Sequence, residues 1–555
     1  MKRFPLRGPV LGVLSFLFAM PSGASTLFHN VRGYTMDGGE RVEFVALEYD
    51  DGVITRVYDN SDELEASTAD ERIDGHGATL LPGLIDAHGH IPALGEALAS
   101  VDLTGVDSER AAARLVGERA ATESGDGWIR GGGWNQVLWE SGQFPTRASL
   151  DAEVPDRPVI LNRVDVHAIW VNSRALELAG IDRDTPDPAG GRILRDEDGE
   201  PTGVLVDNAM ALVTRAVPAK TPEQQRAEIS RAMRHLLSLG MTGAHDAGVS
   251  DAQMRIYEGL LADDELPMRV YAMLSTSGDG NRARLAAGPV EYPGGRLAAR
   301  SVKVFADGAL GSRGAALIEA YSDDPGNRGL MLQSDVGLRE TIEGAAKAGF
   351  QVNVHAIGDR ANRQVLDEFA RLVEDPAQRA LRHRVEHAQI LDPDDLLRFR
   401  ALDVIASMQP THATSDKNMA GARLGEERLE GAYAWQTLLE SGARMAGGSD
   451  FPVEPPNPFF GLHAAVTRQD RAGQPPGGWR SDEALSREQA LSLFTEDAAY
   501  AGHAEDRLGR LAPGFAADFI LVDRDYFAVP AGDIWQLRVL KTYVAGELEY
   551  SAEPD

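Results

Sequence analysis

The 555-residue chain contains no cysteine. Disulfides, cysteine nucleophiles and thiolate metal sites are therefore excluded, and any bound metal ion must be held by His, Asp, Glu or a modified Lys. Basic residues are also scarce, because 55 Lys and Arg stand against 85 Asp and Glu, for a formal net charge of −30. With no basic stripe, the composition argues against a nucleic-acid partner and is typical of a solvated, soluble surface.

The apolar run near the N-terminus, residues 10–20, is too short to span a membrane. Basic residues precede this run, and the small residues Ser22 and Ala24 follow it at the −3 and −1 positions of a cleavage after Ala24. This pattern predicts a signal peptide over residues 1–24, with an uncleaved membrane-attached N-terminus as the alternative. We expect an exported protein, periplasmic or secreted, that has no membrane partner after cleavage.

Eight short apolar segments are typical of buried parallel strands, and helical patterns separate most of them. Strands that alternate with helices in this number predict a (β/α)8 TIM barrel, an α/β fold, over residues 81–509. The segments are residues 79–86, 241–245, 268–273, 301–305, 350–355, 384–386, 404–408 and 444–448.

The two ends of the chain carry shorter, alternating β-like segments, with a hairpin turn signal at Asp50-Asp51-Gly52. Neither end has enough strands to be stable alone, so we expect residues 25–80 and 510–555 to form one small composite β-domain. The connection between the first two barrel strands is far longer than an ordinary loop. We expect this insertion, about residues 95–220, to lie over the carboxyl ends of the strands.

Polar side chains follow the predicted barrel strands. The stretch TLLPGLIDAHGH delivers His88 and His90 to one side of the first strand, since residues i and i+2 of a strand share a face. Later strand ends supply further imidazoles and carboxylates, which converge at the mouth of a barrel. Such a cluster suits a divalent ion such as Zn²⁺. The other members are His245, Asp246, Asp307, His355, Asp359, Glu386, His387, Gln409, His412 and Asp450.

Lys303 alternates with Val302 and Val304 in its predicted strand, so it faces away from them, into the barrel. A buried unpaired ammonium is costly. Carboxylation to a carbamate would remove the positive charge, and a salt bridge to Asp307 or Asp246 is the alternative.

Six motifs resemble the amidohydrolase superfamily, in its branch called amidohydrolase family 3, the YtcJ-like branch that includes N-substituted formamide deformylase. They occur in family order, and the last two are quite specific. The resemblance extends from about residue 27 to residue 550. The motifs are LLPGLIDAHGH, SVKVFADGALGSRGAAL, NVHAIGDR, RVEHAQ, MQPTHATSD and GGSDFPVEPPNPFFGLHAAVTR.

The resemblance implies a composite β-sandwich domain beside the barrel and a site for one or two divalent ions, with Zn²⁺ favoured. It implies that His88 and His90 bind the more buried metal, and that Asp450 ligates this metal and shuttles a proton. Lys303, as a carbamate, would bridge two metals, and His355 and His387 would hold the second. A homodimer is expected on the same ground.

These expectations lead to a metal-dependent hydrolase that cleaves the C–N bond of a small-molecule amide, with Asp450 as general acid and base. His412 is the candidate donor to the carbonyl oxygen. Alternatives are an esterase, lactonase or deaminase on the same site, or a non-catalytic barrel-shaped binding protein. Candidate substrate contacts are Trp134, Asn135, His167, His245 and Arg313. The alternatives are ordinary packing for the three in the insertion, a hydrogen-bonded rim position for His245, and an ion pair with Asp307 for Arg313.

Overall fold

The structure of the protein, a computed structural model, describes residues 24–122, 125–164 and 167–553. The predicted signal peptide, apart from Ala24, lies outside these residues and stays a prediction. Among the described helices, none has the length and apolar character needed to cross a bilayer.

Eight parallel strands form a barrel, in which each strand pairs with the next one along the chain. The ring closes where the backbone N–H of Asp450 donates to His88 O (2.8 Å) and the Ser449 hydroxyl donates to Asp86 (2.7 Å). The predicted α/β TIM barrel is therefore confirmed. Barrel strands 1 to 8 are Leu84–Gly89, Met241–Val249, Arg269–Ser275, Leu297–Phe305, Gln351–Ala356, Arg384–His387, Ile405–Met408 and Met445–Gly447.

The predicted first strand, residues 79–86, is in fact two strands. Thr79–Pro82 belongs to a different sheet, and barrel strand 1 begins at Leu84. Gly83 joins them at a point where a Cβ would lie 2.3 Å from the Thr242 hydroxyl oxygen, so only glycine fits there. One apolar run of the sequence therefore supplies a strand to each of two different sheets.

Helices surround the barrel and bury their apolar faces against it. Several begin at a side-chain cap, such as Thr221, which forms a capping box with Gln224. The α-helices are Ile91–Ala99, Glu109–Thr122, Arg147–Glu153, Ser173–Ala179, Met210–Thr214, Pro222–Ser238, Asp251–Ala262, Asp279–Ala287, Asp335–Lys347, Asp359–Leu372, Pro376–Arg379, Leu396–Leu402, Pro410–Asp416, Ala420–Leu424, Trp435–Glu440, Pro458–Thr467, Arg487–Leu493 and Glu496–Ala501.

Two further sheets combine both ends of the chain into the composite β-sandwich. The link is the antiparallel pairing of Thr79–Pro82 with Phe519–Val522, and aromatic rings such as Phe519 and Tyr543 (4.5 Å between centroids) fill the space between the sheets. The fold class is thus confirmed, while the domain limits stay a prediction. One sheet contains Thr26–His29, Ala46–Asp50, Val53–Tyr58 and Glu71–Asp74, and the other Arg32–Asp37, Glu40–Phe44, Thr79–Pro82, Phe519–Val522, Val539–Val544 and Glu547–Ser551.

The insertion after barrel strand 1 has a sheet and an apolar core of its own. It adjoins the helix Ile91–Ala99, which follows barrel strand 1, and Arg130 Nη1 lies 3.9 Å from Glu96 Oε1 of this helix. The strands of this sheet are Val101–Asp102, Ile129–Trp134, Val159–Arg163, Ala168–Val171, Gly191–Arg195 and Pro201–Asp207.

Candidate functional site

Imidazole rings from four barrel segments meet at the carboxyl ends of the strands. The His88 ring lies 5.5 Å from that of His90 and 4.8 Å from that of His387, between centroids. The His387 ring in turn lies 4.5 Å from that of His355 and 5.9 Å from that of His412. The structure thus brings together histidines that are more than 300 residues apart in the chain.

His88 is fully buried, and both of its ring nitrogens are engaged. Nδ1 lies 2.5 Å from Glu386 Oε2, and Nε2 lies 2.9 Å from Lys303 Nζ. Burial, aided by the Lys303 charge, lowers the pKa of His88 to about 4. The ring is therefore neutral at pH 7, as a metal ligand must be.

His90 and Asp450 face each other across the first strand end. His90 Nδ1 donates to Ala247 O (2.9 Å), and Nε2 lies 3.1 Å from Asp450 Oδ1. Burial alone would raise the pKa of Asp450, but the hydrogen bond from His90 and the neighbouring imidazoles hold it well below its usual range. Asp450 is therefore a carboxylate that can ligate or accept a proton.

His355 and His387 occupy the ends of barrel strands 5 and 6. His387 Nδ1 lies 2.8 Å from Gln409 Oε1, which leaves Nε2 directed into the cluster. His355 Nε2 is buried and has no hydrogen-bond partner among the described residues. Burial lowers the pKa of His355 to about 3, so the ring is neutral at pH 7 and one of its two nitrogens carries a lone pair.

His412 lies on the short helix Pro410–Asp416 that follows barrel strand 7. Its Nε2 is buried, lies 3.6 Å from Asp450 Oδ2, and has no hydrogen-bond partner within the described part of the chain. Its Nδ1 lies 2.8 Å from Gln389 Nε2. Asp450 thus sits between His90, near its Oδ1, and His412, near its Oδ2.

Two sets of these side chains have the spacing to hold a metal ion. In each set the potential ligand atoms lie within 4.8 Å of one another, and the sets are His88, His90 and Asp450, and His387, His412 and Asp450. Imidazole with carboxylate is a donor set that borderline divalent ions accept. His355 Nε2 is buried and has no hydrogen-bond partner among the residues that the structure describes, as expected of a nitrogen that ligates a metal ion. The residues present therefore fit a divalent cation.

Lys303 lies inside the barrel as its alternation with Val302 and Val304 predicts, but the salt bridge considered for it is not formed. Asp307 instead accepts three backbone N–H bonds, at 2.8–2.9 Å, and Asp246 accepts from the Ile91 backbone and the Tyr257 hydroxyl. Burial lowers the pKa of Lys303 to about 8.

The two barrel residues among the candidate substrate contacts have protein partners. His245 is buried, and its Nδ1 lies 3.0 Å from Arg384 Nη1. Arg313 forms a bidentate ion pair with Asp323 (3.1 and 3.0 Å), and not with Asp307. The expected alternative partner of Arg313 was therefore wrong, while substrate binding by either residue stays a prediction.

The three candidates in the insertion are held by local contacts. Trp134 is fully buried and donates to Leu161 O (2.9 Å), which is a packing position. Asn135 caps a short 3-10 turn through Val137, and His167 Nδ1 lies 2.9 Å from Asp207 Oδ1. None of these contacts tests substrate binding, which stays a prediction for all three.

The sequence analysis did not identify Arg384 and Gln389, which contact residues of the histidine cluster. Arg384 contacts Glu386, the partner of His88, and Gln389 contacts His412. Arg384 is fully buried and contacts both carboxylate oxygens of Glu386, at 2.8 and 3.2 Å. An Arg and a Glu two residues apart in an apolar strand share a face, so this pair was detectable. Gln389 lies beyond the strand, where alternation no longer indicates a direction.

Comparisons with known proteins agree with this geometry. The sequence profile of the amidohydrolase family matches residues 71–550. The chain is 35% identical over 535 residues to YtcJ of Bacillus subtilis, covering 94% of this chain and 99% of that protein. It is 29% identical over 494 residues to N-substituted formamide deformylase of Arthrobacter pascens, covering 86% of this chain and 90% of the deformylase. The crystal structure of an uncharacterised metal-dependent hydrolase from Pyrococcus horikoshii is similar with a TM-score of 0.76 and 30% identity, over 92% of this chain and 99% of that one.

Proposed function

Because this chain belongs to the amidohydrolase family and is a hydrolase, we propose that it uses a bound divalent ion to hydrolyse a C–N bond in a small-molecule amide. The observation that carries the proposal is the position of Asp450, with Oδ1 3.1 Å from His90 Nε2 and Oδ2 3.6 Å from His412 Nε2. A carboxylate so placed can act on both the attacking water and the group that leaves.

The residues proposed to hold metal are those of the barrel mouth. His88, His90 and Asp450 would hold one ion, and His355 and His387 a second, with Lys303 as a carbamate between them. Zn²⁺ is proposed because imidazole and carboxylate donors suit it. When bound, such an ion supplies Lewis acidity that makes a water molecule acidic enough to attack at neutral pH.

The chain's own groups would then move the proton and stabilise charge. Asp450, a carboxylate at neutral pH, accepts the proton from the attacking water and returns it to the departing amine nitrogen. His412 donates a hydrogen bond from Nε2 to the carbonyl oxygen as negative charge develops there. No covalent nucleophile is required, and the chain has no cysteine to supply a thiolate.

We also propose that the substrate is a small molecule, that the protein forms a homodimer, and that the N-terminal segment directs its export.

The first experiment measures metal per chain in purified protein and compares wild type with Asp450→Asn on a panel of amides and esters. We expect about two metal ions per chain, and a fall in hydrolysis of at least about 10²-fold in a variant that keeps most of its metal. A control is Asp395→Asn, which removes a buried carboxylate that pairs with Arg363 and Arg398 outside the site. One ion per chain would argue against the Lys303 bridge, and a protein with neither metal nor hydrolysis would refute the proposal.

A further inference from the structure

The partner at one nitrogen of a neutral imidazole determines what the other nitrogen can do. A hydrogen-bond acceptor at Nδ1 keeps the proton there and leaves a lone pair on Nε2. A donor at Nδ1 reverses this arrangement, so that Nε2 carries the proton. A histidine with a lone pair facing the site can bind a metal ion, whereas one with an N–H facing the site can only donate.

Three histidines of the cluster have an oxygen acceptor at Nδ1. The acceptor is the Glu386 carboxylate for His88 (2.5 Å), the carbonyl of Ala247 for His90 (2.9 Å) and the side-chain carbonyl of Gln409 for His387 (2.8 Å). His88 and His387 in their neutral forms therefore keep the proton on Nδ1 and turn a lone pair into the barrel mouth. His90 differs, because its Nε2 faces a second acceptor, Asp450 Oδ1 at 3.1 Å, so Ala247 alone does not determine where its proton lies.

His412 has the opposite partner. Its Nδ1 faces the side-chain nitrogen of Gln389 at 2.8 Å, and an amide nitrogen can only donate. Nδ1 must therefore accept, and the proton lies on Nε2. That N–H is buried, points towards the cluster 3.6 Å from Asp450 Oδ2, and has no partner among the described residues.

The backbone places Gln389 for this contact. His387 and Ala388 both have positive φ angles, of 76° and 43°, which non-glycine residues rarely adopt. The chain therefore turns sharply after barrel strand 6, and backbone bonds fix the turn, from Ala388 N to Ala356 O (3.1 Å) and from Tyr433 N to Gln389 O (2.7 Å). The positive φ angles cost conformational free energy, and the surrounding hydrogen bonds hold the backbone in this conformation. As a result, the side-chain amide of Gln389 points at the ring of His412.

We propose that Gln389 is a positioning residue that keeps the proton of His412 on Nε2, so that His412 donates to the substrate's carbonyl oxygen and does not bind metal. The proposal rests on the hydrolase function proposed above. His412, His387 and Asp450 together have the spacing of a three-ligand metal group. Under this proposal His387 and Asp450 bind metal, whereas His412 acts only as a hydrogen-bond donor.

The direct test is the ¹⁵N spectrum of the full-length protein as purified, labelled at the histidine ring nitrogens, since protonated and unprotonated nitrogens differ in chemical shift. The His412 signals are identified by their absence in His412→Gln. We expect a protonated Nε2 and an unprotonated Nδ1. A proton on Nδ1 of His412 would overturn the proposal. Because the measurement needs neither substrate nor turnover, its result is valid even if the protein hydrolyses no amide.

The matched variants are Gln389→Glu and Gln409→Glu, which add the same carboxylate at two neighbouring positions. In Gln389→Glu the new acceptor should draw the His412 proton to Nδ1 and remove the inward donor. In Gln409→Glu the group facing His387 Nδ1 is an acceptor before and after the change, so the proton of His387 should stay on Nδ1. His412 signals that do not move in Gln389→Glu would overturn the role of Gln389.

Kinetics separate positioning from a general structural effect. Loss of one oxyanion donor lowers kcat by about 10²–10³-fold in a known hydrolase, so we expect Gln389→Glu to lose at least about tenfold in kcat with little change in KM. Metal content should not fall, since the change leaves every proposed ligand in place. A Gln389→Glu enzyme with unchanged kcat would overturn the proposal.

Discussion

Lys303 Nζ lies 2.9 Å from His88 Nε2, and neither side chain has more than 2% of its surface exposed. No carboxylate of the described residues forms an ion pair with Lys303 within 4.0 Å. Its pKa is lowered to about 8 by burial, so the neutral amine is far more populated near neutral pH than it is in an ordinary lysine. A neutral amine is the form that reacts with carbon dioxide, and this supports the carbamate proposed for Lys303.

We predict that Lys303 carries a carbamate in the metal-loaded protein. Protein prepared with ¹³C-bicarbonate should show a carbamate carbon signal by NMR that is absent from Lys303→Met. The exposed Lys347, which pairs with Glu343 on a surface helix, provides the control, since Lys347→Met should keep the signal. A wild-type protein with two metal ions and no such signal would contradict this role.

We predict that Glu386→Gln weakens metal binding by about 10–100-fold, the usual cost of losing a group that orients a metal-ligating histidine. The Glu386 carboxylate holds the proton of His88 on Nδ1, and a neutral amide can present either its oxygen or its nitrogen instead. Competition with a chelating dye measures the zinc affinity of wild type and variant.

A suitable control is Glu368→Gln, which removes a buried carboxylate paired bidentately with Arg339, at 2.9 and 3.1 Å, outside the barrel mouth. Its zinc affinity should equal that of wild type. Glu386→Asp should recover part of the affinity, because a carboxylate is present again. Equal zinc affinities in wild type and Glu386→Gln would show that Glu386 does not orient His88.

The barrel and the two-histidine motif could be predicted from the sequence because each depends on short-range periodicity. Buried parallel strands are apolar on both faces, as at the consecutive residues Ala272, Met273 and Leu274, and form continuous apolar runs. His88 and His90 are two residues apart at a strand end, so alternation indicates that they share a face.

The environment of the histidines depends on features that periodicity does not encode. The direction of Gln389 follows from two positive φ angles, at His387 and Ala388, in residues that seldom adopt them.

The partner of Arg313 could not be predicted either, because Asp307 is already occupied by three backbone N–H groups and Asp323 lies closer in space.

The buried ion pair between Arg269 and Asp518 connects the barrel to the β-sandwich. Arg269, at the start of barrel strand 3, forms two hydrogen bonds with Asp518 (2.6 and 2.8 Å), which also accepts from Ala545 N (2.8 Å). We predict that Asp518→Ala destabilises the protein by about 3–5 kcal/mol, because it leaves a buried guanidinium unpaired. Replacing both, as Arg269→Met with Asp518→Leu, should recover much of the loss, as measured by urea unfolding. A double variant no more stable than Asp518→Ala would refute this explanation.

Asp497 should make the protein less stable as the pH rises. Its pKa is raised to about 7, first by burial and then by the neighbouring Glu496, while Arg444 and Arg510 oppose the shift. Between about pH 4 and pH 7 the folded protein keeps a proton on Asp497 that the unfolded chain has already released, so stability is lost across this range. Asp497→Asn cannot release this proton, so its melting temperature should match wild type near pH 4 and exceed it by a few degrees at pH 8.

Calorimetric scans of both proteins between pH 4 and pH 8 measure this difference. Asp506→Asn is the control, because the Asp506 side chain is 79% exposed and the substitution should leave the pH dependence unchanged. If Asp497→Asn followed the wild-type melting temperature in parallel at every pH, Asp497 would titrate at the same pH in the folded and unfolded chains. The loss of stability with rising pH would then have to come from another carboxyl group whose pKa is raised in the folded protein.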